Sequence, residues 1–233
     1  MPSDFEIVDV QPGFVVIDKS AGVGFHQEAD QPGLVSQVEA WLGESKLYPV
    51  HRLDRMTSGL LLLATSPAAA EQLNRQFRLG LVKKYYLALS DRKPKKKQGL
   101  ISGDMDKGRR GSWRLLKTKQ NPAKTRFFSF GLGNGSRLYL LKPLTGKTHQ
   151  LRVALKSIGA PILGDKRYYP NDPQHRLAEV DRGYLHAYAV KFEFDGKPCR
   201  YLLPPRQGLR FIDKALNDQL QVLGDPEQLP WSE

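Results

Sequence analysis

The sequence has little of what metal sites, disulfides and membrane spans are built from. Its single cysteine, Cys199, excludes a disulfide within the chain and disfavours a cysteine-based metal site. The five histidines lack the spacing of metal ligands: His26, His51, His149, His175 and His186. No apolar run approaches the roughly 18 residues of a membrane span, and the first residues lack the basic start and apolar centre of a signal peptide. We therefore expect a cytoplasmic protein without a metal or a membrane partner.

Acidic residues are outnumbered, which indicates the kind of partner. The chain has 24 acidic residues against 36 lysines and arginines, a formal net charge of +12. Clustered cations displace the counterions condensed on phosphates, so a nucleic acid is the expected partner, although a protein can also be basic without one. Residues 91–126 hold thirteen cations against three acids, which is more one-sided than solubility requires. We interpret this basic segment as the main phosphate-contacting surface.

The pattern of elements favours one α+β domain over residues 1–233. No repeat, low-complexity tract or interdomain linker divides the chain, and its length suffices for a large core. Predicted strands and helices interleave irregularly with several hairpins, unlike a doubly wound parallel sheet. Strands are predicted at 5–8, 14–17, 60–65, 85–89, 127–130, 138–142 and 184–194. One helix is predicted at 33–42, and a second from Ser66-Pro67 to Gly80. A third is predicted from a cap at Thr148 to Gly159. A C-terminal helix is predicted around Leu209, Ile212, Leu216 and Leu220, and the residues from Asp225 onward are expected to fray.

The stretch from His51 to Ala64 joins a charged half to an apolar half. The run Leu60–Ala64 predicts a buried strand, and the polar residues before it predict a loop. In that loop Asp54 lies between Arg52 and Arg55. Such a carboxylate is either a reactive group held by a rigid strand or an ordinary surface ion pair. The local pattern alone favours the ion pair.

Other chemistries fit the sequence poorly. Ser58 lacks the glycine two residues earlier that a nucleophile elbow needs. Gly146-Lys147-Thr148 resembles the end of a phosphate-binding loop, but the required first glycine falls on Leu141. A lone carboxylate with arginines nearby remains, and it suits a cofactor-free reaction at a sugar C1′, with the arginines keeping Asp54 ionised.

Several further motifs accompany this stretch in a fixed order. They are Asp18-Lys19 with Ala21-Gly22 and His26; His51-Arg52-Leu53-Asp54 with Thr57-Ser58-Gly59-Leu60; Lys84-x-Tyr86-x-Ala88; Thr145-Gly146-Lys147-Thr148-His149-Gln150-Leu151-Arg152; Gly159-x-Pro161-Ile162-Leu163-Gly164-Asp165 with Tyr168; and Leu185-His186-Ala187. Together they resemble the motifs of the RluA-type family of RNA pseudouridine synthases, over about residues 14–205. The sequence departs from that family at Ser20, where proline is usual, and at Ala154, where histidine is frequent.

The resemblance implies a fold, an activity and a site. The fold would be a mixed, largely antiparallel central sheet flanked by helices and loops. The activity would convert specific uridines of structured RNA, rRNA or tRNA, to pseudouridine without a cofactor. Asp54 would be the catalytic carboxylate, Tyr86 would stack on the flipped base, and Arg152 would orient Asp54. Arg52 would fill the gap left in the RNA.

The resemblance also implies where RNA binds. The S4 domain that many relatives carry in front is not expected here, because the first motif begins near residue 14, so RNA affinity would come from the catalytic domain itself. The RNA-binding candidates are His51, Arg52, Arg55, Lys84, Lys95, Lys96, Lys97, Arg109, Arg110, Lys147 and His149. No protein partner is implied, so a monomer is expected.

Several alternatives stay open. The chain can be a catalytically silent RNA-binding protein of the same fold, or a nucleotide glycosidase, although no second carboxylate lies near Asp54. Tyr86 can be a core aromatic, with Tyr85 on the opposite face. Arg152, taken alone, suggests an exposed helix cation. His51 and His149 are expected to shape loops through hydrogen bonds, and His186 to be a structural histidine.

Overall fold

A computed structural model describes residues 4–25, 32–43, 46–133, 135–169 and 180–231. Two of the histidines above, His26 and His175, lie outside these residues. The chain divides into two compact units: the first unit comprises residues 1–84 and 186–204, and the second unit residues 85–185 and 205–233. Whether they act as one domain over residues 1–233 stays a prediction.

Within its described residues, the first unit is a sheet with two helices. Its strands are β1 (Phe5–Gln11), β2 (Phe14–Lys19), β3 (Tyr48–Pro49), β4 (Thr57–Ala64), β10 (Leu185–Phe194) and β11 (Lys197–Leu202), and its helices are α1 (Leu34–Leu42) and α2 (Pro67–Arg78). The strand order is β1-β2-β4-β10, with β3 beside β4 and β11 beside β10. β2 pairs antiparallel with β1 and β4, and β10 with β11. β4 is buried along its whole length, which explains its continuous apolar run.

Strand β4 begins three residues earlier than predicted. Thr57, Ser58 and Gly59 were expected in a loop, but they belong to the strand and are buried. Gly59 has φ +102°, and a Cβ there would lie 2.4 Å from the carbonyl oxygen of Ala187. The neighbouring strand therefore approaches so closely that only glycine fits. This contact shortens the loop that holds Asp54.

The second unit contains a five-stranded path and two helices among its described residues. Its strands are β5 (Lys83–Ser90), β6 (Gln98–Lys107), β7 (Trp113–Leu115), β8 (Pro122–Gly133) and β9 (Ser136–Pro143), and its helices are α3 (Gln150–Ser157) and α4 (Lys214–Leu223). The order is β5-β9-β8-β6-β7, and every pair is antiparallel. The predicted α+β class with a largely antiparallel sheet is confirmed. Among the described residues, no helix is both long enough and apolar enough to cross a membrane.

Three predicted details of the second unit were wrong. Thr148 does not cap α3; His149 occupies the N-cap in a left-handed conformation and makes no side-chain cap bond. Helix α4 begins only at Lys214, after its cap Asp213, so Leu209 and Ile212 lie outside it and are exposed. The residues after Asp225 do not all fray, because the Trp231 ring packs 4.8 Å from that of Phe128.

Candidate active site

Asp54 lies on a turn of the first unit that main-chain hydrogen bonds hold in place. The amide of Thr57 donates to the carbonyl of Asp54 over 2.9 Å, just where β4 begins. Leu53 is buried beside it, whereas Asp54 itself is half-buried. A half-buried carboxylate on a turn anchored by a buried strand is accessible to a substrate yet fixed in position.

Arg55 fastens this turn to the preceding loop. Its Nε donates to the carbonyl of Gly22 over 2.8 Å, and its own carbonyl accepts the amide of Gly22 over 2.8 Å. Arg55 therefore has a structural contact that the sequence did not indicate, and the residue is exposed. Arg52 is exposed as well. Their predicted contacts with RNA stay predictions.

Lys19 is a buried cation whose role was not apparent from the sequence. Its side chain is fully buried, and Nζ donates to the carbonyls of Ser20 at 2.8 Å, Val23 at 2.9 Å and Arg55 at 3.3 Å. A buried ammonium needs such acceptors to offset its lost hydration. Lys19 therefore joins the loop at 20–23 to the turn that holds Asp54. The only indication of this role in the sequence was the Asp18-Lys19 motif.

His51 is a neutral, half-buried acceptor. Its Nε2 accepts the amide of Leu62 over 3.0 Å, and its ring stacks on Phe77 with centroids 4.8 Å apart. Burial, followed by the nearby Lys84 ammonium, lowers the pKa of His51 to about 3. Lys84 lies 5.3 Å from the centre of the Phe77 ring, and burial lowers its pKa also. The expectation that His51 shapes a loop through hydrogen bonds is confirmed, while RNA contacts of His51 and Lys84 stay predictions.

His186 is a structural histidine, as expected. Its Nε2 lies 2.8 Å from the carbonyl oxygen of Leu203, and its Nδ1 lies 2.8 Å from the hydroxyl of Ser58. The carbonyl can only accept, so Nε2 carries a proton. The side chains of Ser58 and His186 are both buried, and the hydrogen bond between them fixes the start of β4.

In the second unit, Arg152 is buried in a bidentate ion pair. Its Nε and Nη2 donate to the two oxygens of Asp165 over 2.7 and 2.8 Å, and Arg152 is only 8% exposed. The interpretation of Arg152 as an exposed helix cation is therefore wrong. Asp165 also accepts the amides of Arg167 and Tyr168 over 3.0 and 3.1 Å. This carboxylate fixes the plane of the guanidinium, a role that the sequence did not reveal.

Gln150 fixes the start of α3. Its Oε1 accepts from the hydroxyl of Thr145 and the amide of Lys147, and its Nε2 donates to the carbonyl of Lys124 and the hydroxyl of Thr125. All four bonds are 2.7 to 3.0 Å long. The ammonium of Lys147 donates to the carbonyl of Asn121. Gln150 thus ties the loop before α3 to β8, which places Arg152 two residues further on.

The two tyrosines of β5 face opposite ways. Tyr85 is buried and packs on Trp231 at 5.9 Å, with the Lys142 ammonium 5.6 Å from the Tyr85 ring. Tyr86 is half-buried and pairs in register with Leu141 of β9. Because successive side chains of a strand alternate, Tyr85 and Tyr86 lie on opposite faces of β5. That Tyr86 meets a substrate stays a prediction.

The basic segment is structured rather than a loop. It contains β6, β7 and the first part of β8, with a 3₁₀ turn at Arg109–Gly111 between β6 and β7. The five cations of this segment that are predicted to bind RNA are exposed and lie in the connections: Lys95, Lys96, Lys97, Arg109 and Arg110. His149, the last predicted RNA-binding residue, is half-buried with Nδ1 2.8 Å from the Tyr168 hydroxyl. The prediction that His149 forms a local hydrogen bond is confirmed.

Asp54 lies in the first unit, and Tyr86 and Arg152 lie in the second. Their assembly into one three-residue site stays a prediction. Within the described ranges, no cluster of three or more His, Cys, Asp or Glu side chains could hold a metal ion.

Comparisons with known proteins place these features in a family. A family model described as RNA pseudouridylate synthase matches residues 13–157. A Haemophilus influenzae protein named as an uncharacterized RNA pseudouridine synthase is 45% identical, over 94% of this chain and 96% of its own. The Pasteurella multocida dual-specificity RNA pseudouridine synthase RluA is 36% identical, over 82% and 89%. The solved structure of human RNA Pseudouridylate Synthase Domain Containing 1 covers 98% of this chain and 97% of its own, at a TM-score of 0.76 and 26% identity.

The fold and motifs thus define an RNA-modifying isomerase. The chain belongs to the RluA-type family of RNA pseudouridine synthases.

Proposed function

We propose that the chain converts specific uridines of structured RNA to pseudouridine with Asp54 as the catalytic carboxylate. The reaction breaks the N1–C1′ bond, turns the freed uracil and joins its C5 to C1′. The proton on C5 is lost, and N1 gains one, so the product is an isomer of the substrate. Asp54 starts the cleavage either by attack at C1′ or by way of a glycal, and both routes remain open.

The observation that carries this proposal is the anchoring of the Asp54 turn. Lys19 and Arg55 hold the turn through main-chain carbonyls, and β4 continues from it as a fully buried strand. A carboxylate fixed in this way loses little freedom when the sugar arrives. A surface ion pair between Asp54 and its neighbouring arginines would not require hydrogen bonds that hold the turn in this way.

The residues beside Asp54 suit a base-flipping enzyme. A uridine inside a stack exposes neither N1 nor C1′, so the enzyme must extrude it, which costs a few kcal/mol and least in a loop. Arg52 is exposed next to Asp54. We assign Arg52 to the gap that the extruded base leaves, because a planar guanidinium can stack between bases.

The second unit would supply the other two groups. Tyr86 presents a half-buried ring, which would stack on the extruded uracil. Arg152 has its Nε and Nη2 on Asp165, so its guanidinium is held in one plane. A second carboxylate approaching such a fixed guanidinium would itself be oriented, and this is the role proposed for Arg152 toward Asp54.

The exposed cations of the basic segment would bind the RNA backbone. Lys95, Lys96 and Lys97 lie in the connection between β5 and β6, and Arg109 and Arg110 lie in the connection between β6 and β7. Phosphate contacts of this kind give affinity and position the RNA without reading its sequence. The Pasteurella multocida relative is named dual-specificity, which supports keeping more than one class of RNA as substrate.

Tritium release tests the proposal. Total RNA from cells lacking this protein is labelled with [5-³H]uridine, and the label lost to water reports replacement of the C5 proton. Asp54→Asn should abolish release while RNA binding persists, because the amide cannot act as the carboxylate does. Asp213→Asn is the matched control, since asparagine caps α4 as well as aspartate. Tritium release by Asp54→Asn at the rate of Asp213→Asn would refute the assignment of Asp54 as the catalytic carboxylate.

A further inference from the structure

One short turn, residues 165–168, contacts both the arginine of the site and the basic hairpin. On the arginine side, Asp165 holds Nε and Nη2 of Arg152. The Tyr168 ring lies beneath the same guanidinium, 4.9 Å from its central carbon. A cation over an aromatic face is stabilised, so Asp165 and Tyr168 constrain Arg152 from its edge and from its face.

On the hairpin side, the same turn makes two hydrogen bonds. The Tyr168 hydroxyl accepts the amide of Trp113, the first residue of β7, over 2.8 Å. The Arg167 guanidinium donates to the carbonyl of Arg110. Both contacts lie at the 3₁₀ turn that connects β6 to β7, where Arg109 and Arg110 are exposed. The tip of the β6–β7 hairpin is therefore tethered to the turn.

The Tyr168 hydroxyl also reaches α3. It lies 2.8 Å from Nδ1 of His149, and the Lys156 ammonium lies 5.6 Å from the Tyr168 ring. Arg152 and Lys156 are four residues apart and share one face of α3, and His149 lies at its N-cap. Tyr168 therefore lies between that face and β7.

The turn is rigid enough to transmit a displacement. Asp165 accepts the amides of Arg167 and Tyr168. Gly164 has φ +73°, and a Cβ there would lie 2.0 Å from the carbonyl oxygen of Arg182. Tyr168 is only 1% exposed, and burial raises the pKa of its phenol, which keeps the hydroxyl protonated. A packed turn of this kind shifts as one piece.

We propose that Tyr168 is a positioning residue that couples the tip of the β6–β7 hairpin to Arg152. RNA phosphate bound at Arg109 and Arg110 would hold the hairpin in the arrangement that sets the Arg152 guanidinium for catalysis. The chemical step would then depend on RNA contacts made at the hairpin. The inference rests on the proposed function, because it takes Arg152 as a group of the site.

The first test removes one hydroxyl. Tyr168→Phe keeps the ring under Arg152 but removes the bonds to Trp113 and His149. The neighbouring Tyr169→Phe is the matched control, since its hydroxyl donates instead to Asp91 over 2.6 Å. With enzyme in excess over [5-³H]uridine-labelled RNA, Tyr168→Phe should slow the single-turnover rate about three- to tenfold, the worth of one or two hydrogen bonds. RNA affinity should stay within about twofold, and Tyr169→Phe should keep the full rate.

A double-mutant cycle tests the coupling itself. When Arg109→Gln and Arg110→Gln have already removed the phosphate-binding charges, Tyr168→Phe should slow the reaction by less than about twofold. An equal reduction in both backgrounds would overturn the coupling, because a purely structural tyrosine acts regardless of the hairpin charges. A Tyr168→Phe rate equal to that of Tyr169→Phe would overturn it too.

A second pair of variants avoids the buried tyrosine in case Tyr168→Phe folds poorly. Arg167→Gln breaks the exposed tether to Arg110, and Lys166→Gln removes the same charge from the adjacent exposed residue without touching that tether. Only Arg167→Gln should slow the single-turnover rate; equal rates would contradict the inference. If the unsubstituted protein releases no tritium, the proposed function and this inference both fail, whereas equal rates in these pairs defeat the inference alone.

Discussion

At the scale of single residues, burial decides how His51 responds to pH. Its Nε2 accepts the amide of Leu62, and its ring is stacked on Phe77. Protonation would remove that acceptor and place a charge beside the Lys84 ammonium. Loss of hydration on burial, and then the Lys84 ammonium, lower the pKa of His51 from 6.5 to about 3 in the folded protein.

This shift predicts a loss of stability in mild acid. Below pH 6.5 the unfolded chain takes up a proton at His51 that the folded protein refuses until about pH 3. His51 should therefore lower the free energy of unfolding by about 1.4 kcal/mol for each unit by which the pH falls from 6.5 to about 3. Above pH 6.5 it should make no pH-dependent contribution. Nuclear magnetic resonance of the His51 ring should show it neutral at pH 5. A titration midpoint near the ordinary value would refute the assignment.

The sequence indicates some residue roles and hides others. His51, His149 and His186 were predicted to be structural, hydrogen-bonding histidines, and their spacing did not suit metal ligands. The burial of Arg152 was not predictable, since its partner Asp165 is thirteen residues away in a turn without a periodic pattern. Lys19 was hidden for a similar reason, because its three acceptors are main-chain carbonyls that leave no trace in sequence.

At the scale of elements, the Arg152–Asp165 pair anchors α3 to the turn at 165–168. Asp165→Asn would leave a buried guanidinium facing a neutral amide, and breaking a buried pair costs about 3 kcal/mol or more. The exposed pair of Arg114 with Asp106 has the same 2.7 Å contact. Asp106→Asn should therefore cost less than about 1 kcal/mol, since water already solvates both charges.

Urea unfolding followed by tryptophan fluorescence measures both changes. A destabilisation by Asp165→Asn no larger than that by Asp106→Asn would show that α3 is held by its apolar packing alone. The comparison is matched, because each variant exchanges one aspartate of a close arginine pair for asparagine. The two pairs differ in burial, with 9% and 0% of the side chains exposed in one pair and 68% and 43% in the other. Asp165 also accepts two main-chain amides.

Local signals predicted the elements better than their ends. Ser66 and Pro67 marked the start of α2, and Ser66 does cap it by accepting the amide of Ala69 over 3.2 Å. The start of β4 was placed too late, because close contact with Ala187 draws polar residues into the strand. Helix α4 was placed too early, because the apolar spacing of Leu209 and Ile212 matched a helix although both are exposed. Tertiary contacts decided each boundary.

At the scale of the whole molecule, the uneven charge should govern binding to RNA. Changing Lys95, Lys96 and Lys97 to glutamine should lower affinity and flatten its salt dependence, by up to about one unit of log–log slope for each lysine that binds a phosphate. The control changes three exposed lysines outside the basic segment, Lys46, Lys197 and Lys214. This control changes the net charge of the protein by the same amount as the variant of Lys95, Lys96 and Lys97. Titrations of labelled RNA at several salt concentrations give both slopes, and equal slopes would place the phosphate path elsewhere.

The family was predictable from the sequence because its motifs recur in order over most of the chain. Asp54, Tyr86 and Arg152 were identified through that order rather than through any local pattern, since each alone fits an ordinary ion pair, core aromatic or helix cation. The order of motifs cannot give the supports around them. Gln150, Asp165 and Tyr168 show their roles only once hydrogen bonds are known.

The most direct test of Asp54 as the catalytic group is pseudouridine mapping across total RNA. Cells lacking this protein are supplied with the unsubstituted chain, Asp54→Asn or Asp213→Asn. Certain uridines should lose their modification without the protein. The unsubstituted chain and Asp213→Asn should restore it, and Asp54→Asn should not. Restoration by Asp54→Asn, or a map that does not depend on the protein at all, would contradict the account.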